Sequence, residues 1–473
     1  MGTRVAGPQL SRVLALAPVS AGALLWRAGR ELQVTVILQA RLGLTPDAEA
    51  RLLEPAPLVL RDRHHGDDPS RSLDEVSEAV PYRPRVDVWM RGHAVPLGGG
   101  RAVSSRVRLA VHRAGAAGLD KQVEVTGDRG GSEGEVMPFA RMPLVHERAY
   151  GGPQFEANPV GTGARPGSPW PNLRGLGRAE AAACFAPIAS SWRARRQRVS
   201  SEQRRELGLP VPVVGPGFDW GYFQASPPDQ QIDHLVGDEW LTLDGVEGAR
   251  GRVQSSLPGV EGVAWVMVDG AAHAGQLAMT ADSLAIDADR LEARVTFRGI
   301  FGVREVGELG NIRVAGGLRL RRESLDIFDV AERLRGFPTL LATATESVRQ
   351  ALEGSARERQ AESAGGVGGE SEGRTDNELG PMSHDFGQTM TLRSRLATGG
   401  SEAGRQGLES VRPGGPARGG AAPPDGAHPH ERTLPSAGVT ADDTAQHPAL
   451  GELGEDTLTL DSVRFPAGVD ADE

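Results

Sequence analysis

From residue 31 to residue 297, apolar side chains recur at every second position in short runs, and Gly or Pro interrupts them roughly every ten positions. Period-two spacing puts alternate residues on opposite faces of a strand, so this part of the chain is committed to sheet. Residues 31–42 (ELQVTVILQARL) are rich in β-branched side chains around Val34, Thr35, Val36 and Ile37. Residues 85–93 set Val86, Val88 and Met90 against Asp87, Trp89 and Arg91. Residues 106–112 align Val107, Leu109 and Val111, and residues 122–126 add Val123 and Val125. A second group follows at 239–243, 251–256, 263–268, 283–286 and 292–297, the last two forming a hairpin across 287–290. The expected class is mainly β, with antiparallel sheets in a sandwich-like arrangement.

Within this frame, residues 138–231 lose their periodicity and fill with Gly, Pro, Asn and aromatic residues. The stretch is too long for a passive loop. It reads as an ordered irregular insert held by Trp170, Trp192, Trp220, Tyr222 and Phe223. The β-rich domain is expected to span 1–300, followed by a helical segment at 301–361. There Leu341, Ala344, Val348 and Leu352 recur at three and four beyond Pro338, predicting one amphipathic helix over about 339–360. Residues 362–473 are rich in Gly, Ser, Pro, Ala and acid, with Phe386 and Phe465 as the aromatics, and cannot bury enough apolar surface to offset ordering entropy. The expectation for them is a disordered acidic tail.

Charge follows the same division. Residues 361–473 hold 19 acidic side chains against 8 arginines, a net of −11 out of a total of −10, which leaves the rest of the chain near +1. Nucleic-acid binding needs clustered cations and has no field here. Arg193, Arg195, Arg196 and Arg198 form one short basic cluster, read as a solvated face. Lys121 is the single lysine and Cys184 the single cysteine, so neither an intrachain disulfide nor a thiolate metal cage can form. Cys184, in a small apolar run, is expected to be a buried inert thiol. The apolar stretch 13–26 is broken by Pro18, Ser20 and Gly22, and no run of about 20 apolar residues occurs. A soluble cytoplasmic protein with no membrane partner is expected.

The familiar catalytic templates G-x-x-x-x-G-K-[ST], H-E-x-x-H and C-x-x-C are missing from the sequence. Gly98-Gly99-Gly100 reads as a turn, and His64-His65-Gly66-Asp67-Asp68 as a polar loop with metal-like composition. Asp229, Asp238 and Glu239 follow an aromatic-rich stretch and support a rival reading, a hydrolase acting on glycans or cell-wall material. In the tail, Thr389-Met390-Thr391-Leu392-Arg393-Ser394 and Thr457-Leu458-Thr459-Leu460-Asp461-Ser462 share the pattern Thr-x-Thr-Leu-x-Ser. Such segments suit docking as an added strand. Phosphorylation of their threonines gives a third reading, a signalling scaffold. The denser motifs look structural: Gly127-Asp128-Arg129 at a strand end, Glu147-Arg148-Ala149-Tyr150-Gly151-Gly152 as a charged pair joined to a bend, and the turn Asn158-Pro159-Val160-Gly161.

Taken in order, these motifs resemble the family catalogued as domain of unknown function 2169, often encoded beside type VI secretion spike genes. The matching stretches begin with Val86-Asp87-Val88, Gly92-His93-Ala94, Gly127-Asp128-Arg129 and Pro138-Phe139, then Met142-Pro143-Leu144 and Glu147 to Gly152. Asn158 to Gly161, Pro171-Asn172-Leu173, Phe185-Ala186-Pro187-Ile188 and Ser191-Trp192 with Arg195 follow. The series ends with Phe218-Asp219-Trp220, Tyr222-Phe223-Gln224-Ala225 and Pro227-Pro228-Asp229-Gln230-Gln231. The resemblance covers about residues 20–300. It departs where the family has lysines, at Gln39-Ala40-Arg41 and near Arg83-Pro84, and where it has an acid, at Arg174. It implies a cytoplasmic adaptor that links a secreted effector to the spike protein and needs no cofactor. Because aromatics and arginine dominate binding hot spots, Trp170, Trp192, Arg195, Trp220, Tyr222 and Phe223 are the candidate docking residues.

Overall fold

The computed structural model describes residues 9–365, apart from 114–115, 130–133, 166, 177–181, 250, 272–273 and 321–326. Its strands of five residues or more are β1 Ser20–Ala28, β2 Glu31–Gly43, β3 Val86–Arg91, β4 Ser104–Arg113, β5 Ala116–Thr126, β6 Trp240–Asp244, β7 Arg252–Ser256, β8 Val260–Val268, β9 Thr280–Asp287, β10 Glu292–Val303 and β11 Ile312–Leu320. The main sheet runs β1-β2-β10-β9-β3, with Leu10–Ser11 outside β1 and Gln231–Ile232 outside β3. β2 and β10 pair along nearly their whole length, from Gly43↔Glu292 to Leu32↔Val303. The hairpin read across 287–290 forms, with Asp287 opposite Glu292. Against the antiparallel expectation, β9 and β3 pair in parallel, Ser283 with Asp87 through Asp287 with Arg91. Parallel neighbours need a long crossover, and here the whole insert and the second sheet lie between them in sequence.

The second sheet runs Leu173–Gly175, β5, β4, β6, β7, Ala48–Glu49, and the third Leu14–Ala15, β11, β8, Gly275–Leu277. Val34, Val36, Leu38, Ala40 and Leu42 line one face of β2 and meet Val107, Leu109, Val123 and Leu243 of the second sheet and Val314 of the third in one core. That is the sandwich the alternation predicts.

The opposite face of β2 is polar in sequence yet also buried, under the insert. Thr35 Oγ1 accepts from Trp26 Nε1 (2.9 Å) and donates to Pro81 O (2.9 Å). Gln39 Nε2 donates to Thr296 Oγ1 (3.0 Å). Thr35 and Gln39 thus find protein partners, which is the condition for burying them.

The boundary expected at residue 300 moves. β10 runs to Val303, and β11 pairs with β8 from Leu320↔Val260 to Ile312↔Val268, so sheet extends to residue 320 inside the stretch expected to be helical. Helices follow at Ile327–Arg335 (α1), Leu340–Thr343 (α2) and Glu346–Gly365 (α3). The single helix expected over 339–360 is two, because Ala344 adopts an extended backbone (φ −65°, ψ 142°) between them. Leu340, Ala344, Val348 and Leu352 all reach the common core. Their spacing of four is the same with or without the break, so the pattern does not register it. No helix among the described residues is long and apolar enough to cross a membrane. The tail threonines Thr389, Thr391, Thr457 and Thr459, with Leu392 and Leu460, lie outside the described residues, as does the rest of 366–473.

Candidate functional site

Asp87 is the second residue of β3, on the face opposite Val86, Val88 and Met90, and is 1% exposed. Its Oδ1 accepts from Gln224 Nε2 (2.7 Å), Ser226 N (3.1 Å) and Ser226 Oγ (2.6 Å), and its Oδ2 from Ala225 N (2.7 Å). The Gln224-Ala225 motif is therefore clamped to the sheet by one carboxylate. Arg83 Nε stands 3.4 Å from Asp87 Oδ2 and carries the charge balance inward.

Behind it lies a cluster that sequence reading missed. Arg83 pairs with Glu78 (2.8 Å) and approaches Asp282 (3.7 Å); Arg298 pairs with Glu78 (2.7 Å) and with Asp282. These four residues and Asp87 are all below 6% exposure. The signal was the polar side chains at outward-facing positions of a sheet that turns out to be covered on both faces.

Glu78 and Asp282 share the same arginines and respond oppositely. Burial is the largest influence on Glu78 and raises it, but the guanidiniums of Arg83 and Arg298, both hydrogen-bonded to it, hold it at about 2. Asp282 is pushed up to about 6 by burial, and its Oδ2 is buried without a partner. Between about pH 4 and pH 6 Asp282 thus holds a proton only when folded, so its contribution is largest at low pH and is lost as pH rises through 6. We expect the stability of wild type over Asp282→Asn, measured by urea unfolding, to fall by about 2 kcal/mol from roughly pH 4.5 to pH 7.5. A difference independent of pH would remove the assignment.

Lys121 projects from β5 with its side chain 8% exposed. Its ammonium donates to Cys184 O (2.9 Å), Asp229 Oδ1 (2.9 Å) and Gln230 Oε1 (2.7 Å). Gln230 in turn donates Nε2 to Val88 O (2.8 Å) and Phe185 O (3.1 Å). The Pro-Asp-Gln motif thus joins the two sheets through the chain's one lysine. Burial lowers the Lys121 pKa, and it raises the Cys184 thiol to about 11. Cys184 is therefore a thiol at neutral pH, as its apolar run suggests.

The remaining motifs knot the insert together. Arg148 Nη1 donates to Asp128 Oδ1 (2.7 Å) and Asn172 Oδ1 (3.0 Å), and Asn172 Nδ2 donates to Asp128 Oδ1 (3.1 Å) and Thr126 O (3.1 Å). Glu147 accepts from Ser72 N (2.8 Å) and Ser72 Oγ (2.7 Å). Asn158 Nδ2 donates to His146 O (2.8 Å) and Tyr150 O (3.1 Å), and Pro159 sits in the turn beyond it. Gly152 N donates to Asn158 O (3.0 Å), closing the bend after the Tyr150 ring, which packs edge-on against Phe155 (5.3 Å). Two glycines are forced by contact: a Cβ on Gly127 would strike Met137 O, and one on Gly151 would strike Asn158 O. Asp219 caps the turn into Trp220 by accepting from Gly221 N (2.8 Å) and pairs with Arg198 (2.8 Å).

Most of the candidate docking residues are spent on packing. Trp192 is 5% exposed and lies edge-on to His146 at 4.8 Å. Arg195 is buried and donates to Tyr222 O (2.7 Å) and Ile188 O (2.6 Å). Phe223 is in the core, and Trp220 and Tyr222 pack against the same aromatic cluster, with Trp220 edge-on to Trp26 (5.8 Å) and Tyr82 (5.5 Å). Trp170 alone of the six is an exposed ring, at 39%.

The carboxylates considered for hydrolysis are each held separately. Asp229 pairs with Lys121, Asp238 with Arg113 (3.0 Å), and Glu239 accepts from Val236 N (2.6 Å) and Gly237 N (2.8 Å). His64 Nδ1 contacts Arg71 O (2.6 Å), and Asp68 accepts from Ser70, which accounts for that loop without a metal. Among the described residues, His93, Glu247 and Asp289 bring three potential ligand atoms within 4.8 Å of one another. Arg141 already pairs with both carboxylates, so a guanidinium occupies the electrostatic role a cation would take.

No curated protein and no solved structure matches the chain. One family model does, described as an uncharacterised protein conserved in bacteria (DUF2169), and it covers residues 28–298. That span holds the clamp at Asp87, the Lys121 bridge and the whole knotted insert, and it is more than half of the sequence; the chain belongs to the DUF2169 family.

Proposed function

We propose that this protein is a cytoplasmic adaptor that joins a toxic effector to the spike of a bacterial type VI secretion system. The observation that carries the reading is how the motif residues are used. Asp87, Asp128, Glu147, Asn158, Asp229 and Gln230 all make internal hydrogen bonds that fasten the insert to the sheets. Such a body offers a preorganised surface, and preorganisation lowers the entropic cost of holding a partner. It acts before firing, uses no cofactor, and carries its partner-facing residues on the outside of the knotted insert.

The test is genetic and biochemical. Deleting the gene should reduce secretion of the cognate effector to background, with restoration by the wild-type chain, and purified protein should retain effector and spike together. Effector loading and secretion at the wild-type level in the deletion strain would defeat the reading.

A further inference from the structure

At one end of the second sheet the knot leaves an unusual group in the open. Two guanidiniums lie over the Trp170 ring, Arg129 at 4.8 Å and Arg174 at 5.4 Å from its centroid. Neither arginine has a carboxylate or carbonyl acceptor among the described residues, and Nε of each is buried without a partner. Two acids beside them in the chain and in the sheet do not neutralise them. Asp128 is taken by Arg148 and Asn172, and Glu124, directly across from Arg174 in register, forms no ion pair with it among the described residues. Arg174 belongs to Leu173–Gly175, the last strand of its sheet, where Ala149 bridges the outer side of Leu173.

Apolar side chains border the same spot. Gly127 N donates to Val103 O, and Met137 N donates to Asp128 O, so Val103 and Met137 flank the Gly127-Asp128-Arg129 turn. Val103 is 51% exposed and Met137 58%, beside Trp170 at 39%. Isolated exposed apolar residues need no explanation, but three next to two unpaired cations do.

We propose that this surface binds an acidic, leucine- or aromatic-bearing peptide segment of a partner protein, laid across Arg129, Trp170 and Arg174. Carboxylates of the segment meet Arg129 and Arg174, while its apolar side chains cover Trp170, Met137 and Val103. Charge complementarity selects this occupant, because unpaired guanidiniums favour planar, bidentate acceptors and the apolar rim favours a chain with hydrophobic side chains between its acids. The Trp-Arg stack holds both guanidiniums in place before the partner arrives.

The experiment uses the full chain and three fluorescein-labelled dodecapeptides that alternate Leu with Glu, with Gln or with Lys. The Glu peptide should raise fluorescence anisotropy, the other two should not, and binding should weaken with salt. Arg129→Glu combined with Arg174→Glu should weaken it by about tenfold or more. Trp170→Ala should also weaken it, and because it keeps both charges it serves as the second variant if the double substitution fails to fold. Equal binding of the Glu and Gln peptides, or unchanged binding by the double variant, overturns the proposal. Equally tight binding of single-stranded DNA or phosphatidylglycerol vesicles through the same arginines overturns the peptide assignment. Neither effector nor spike enters the assay, so its failure is distinct from failure of the adaptor reading.

Discussion

Replacing Asp87 with alanine should lower the unfolding free energy by about 3–5 kcal/mol, the cost of stripping one partner from a buried charge network. The argument is local. Without the carboxylate, the N–H groups of Ala225 and Ser226, the Ser226 hydroxyl and the Gln224 amide lose their acceptor in a buried site. Arg83 keeps Glu78 and Asp282 but loses its link to the insert. Residues 224–226 should then detach from the sheet, exposing the cluster that includes Trp89, Trp192 and Ala225. Calorimetry should show Tm lower by roughly 5–10 °C. Asp87→Asn should fall between the two, since an amide keeps one acceptor oxygen. A Tm within a degree of wild type for Asp87→Ala would mean that the insert is held by its aromatics alone.

That clamp also shows what was legible in the sequence. Alternation gave β2, β3, β4 and the 287–290 hairpin directly, because side-chain period is a property of the strand itself. In a sheet with one solvated face, Asp87 and Gln39, which alternate with Val86, Val88, Leu38 and Ala40, would face water. They do not, because period two reports which residues share a face and says nothing about what covers that face. The covering layer is the aperiodic insert, whose residues reach Asp87 from about 140 positions away. β1 and β11 were missed for a related reason: β1 is an apolar run that Pro18, Ser20 and Gly22 seemed to break, and β11 contains Gly316 and Gly317, yet both pair along their full length with β2 and β8. At Gly316 a side chain would strike Leu38, so the glycine marks close sheet-to-sheet approach and not a turn. Of the candidate site, the motifs were visible as dense polar spacing, but the partners that satisfy them, such as Ser72 for Glu147 and Lys121 for Asp229, come from distant segments that no local pattern names.

The same limit applies to the tryptophans, and one pair of substitutions separates them. Trp192 and Trp170 belong to one insert and carry the same side chain, so sequence alone weighs them equally. Trp192 is buried against His146 and packs with Leu73, Val76, Trp89 and Ile188. His146 is itself buried and held neutral, its pKa pushed down to about 4 by burial, so the contact is uncharged on both sides. Trp192→Ala opens a cavity that neighbouring β-strands cannot collapse to fill, and should cost about 3–5 kcal/mol. Trp170→Ala removes a ring already 39% exposed and leaves two arginines free to reorient into water, so its cost should stay below about 1 kcal/mol. Chemical denaturation of both variants at neutral pH measures the contrast directly. Similar losses from the two would place Trp170 in the packing of the insert and take it off the surface, whereas a large loss confined to Trp192 assigns one ring to the fold and leaves the other for a partner.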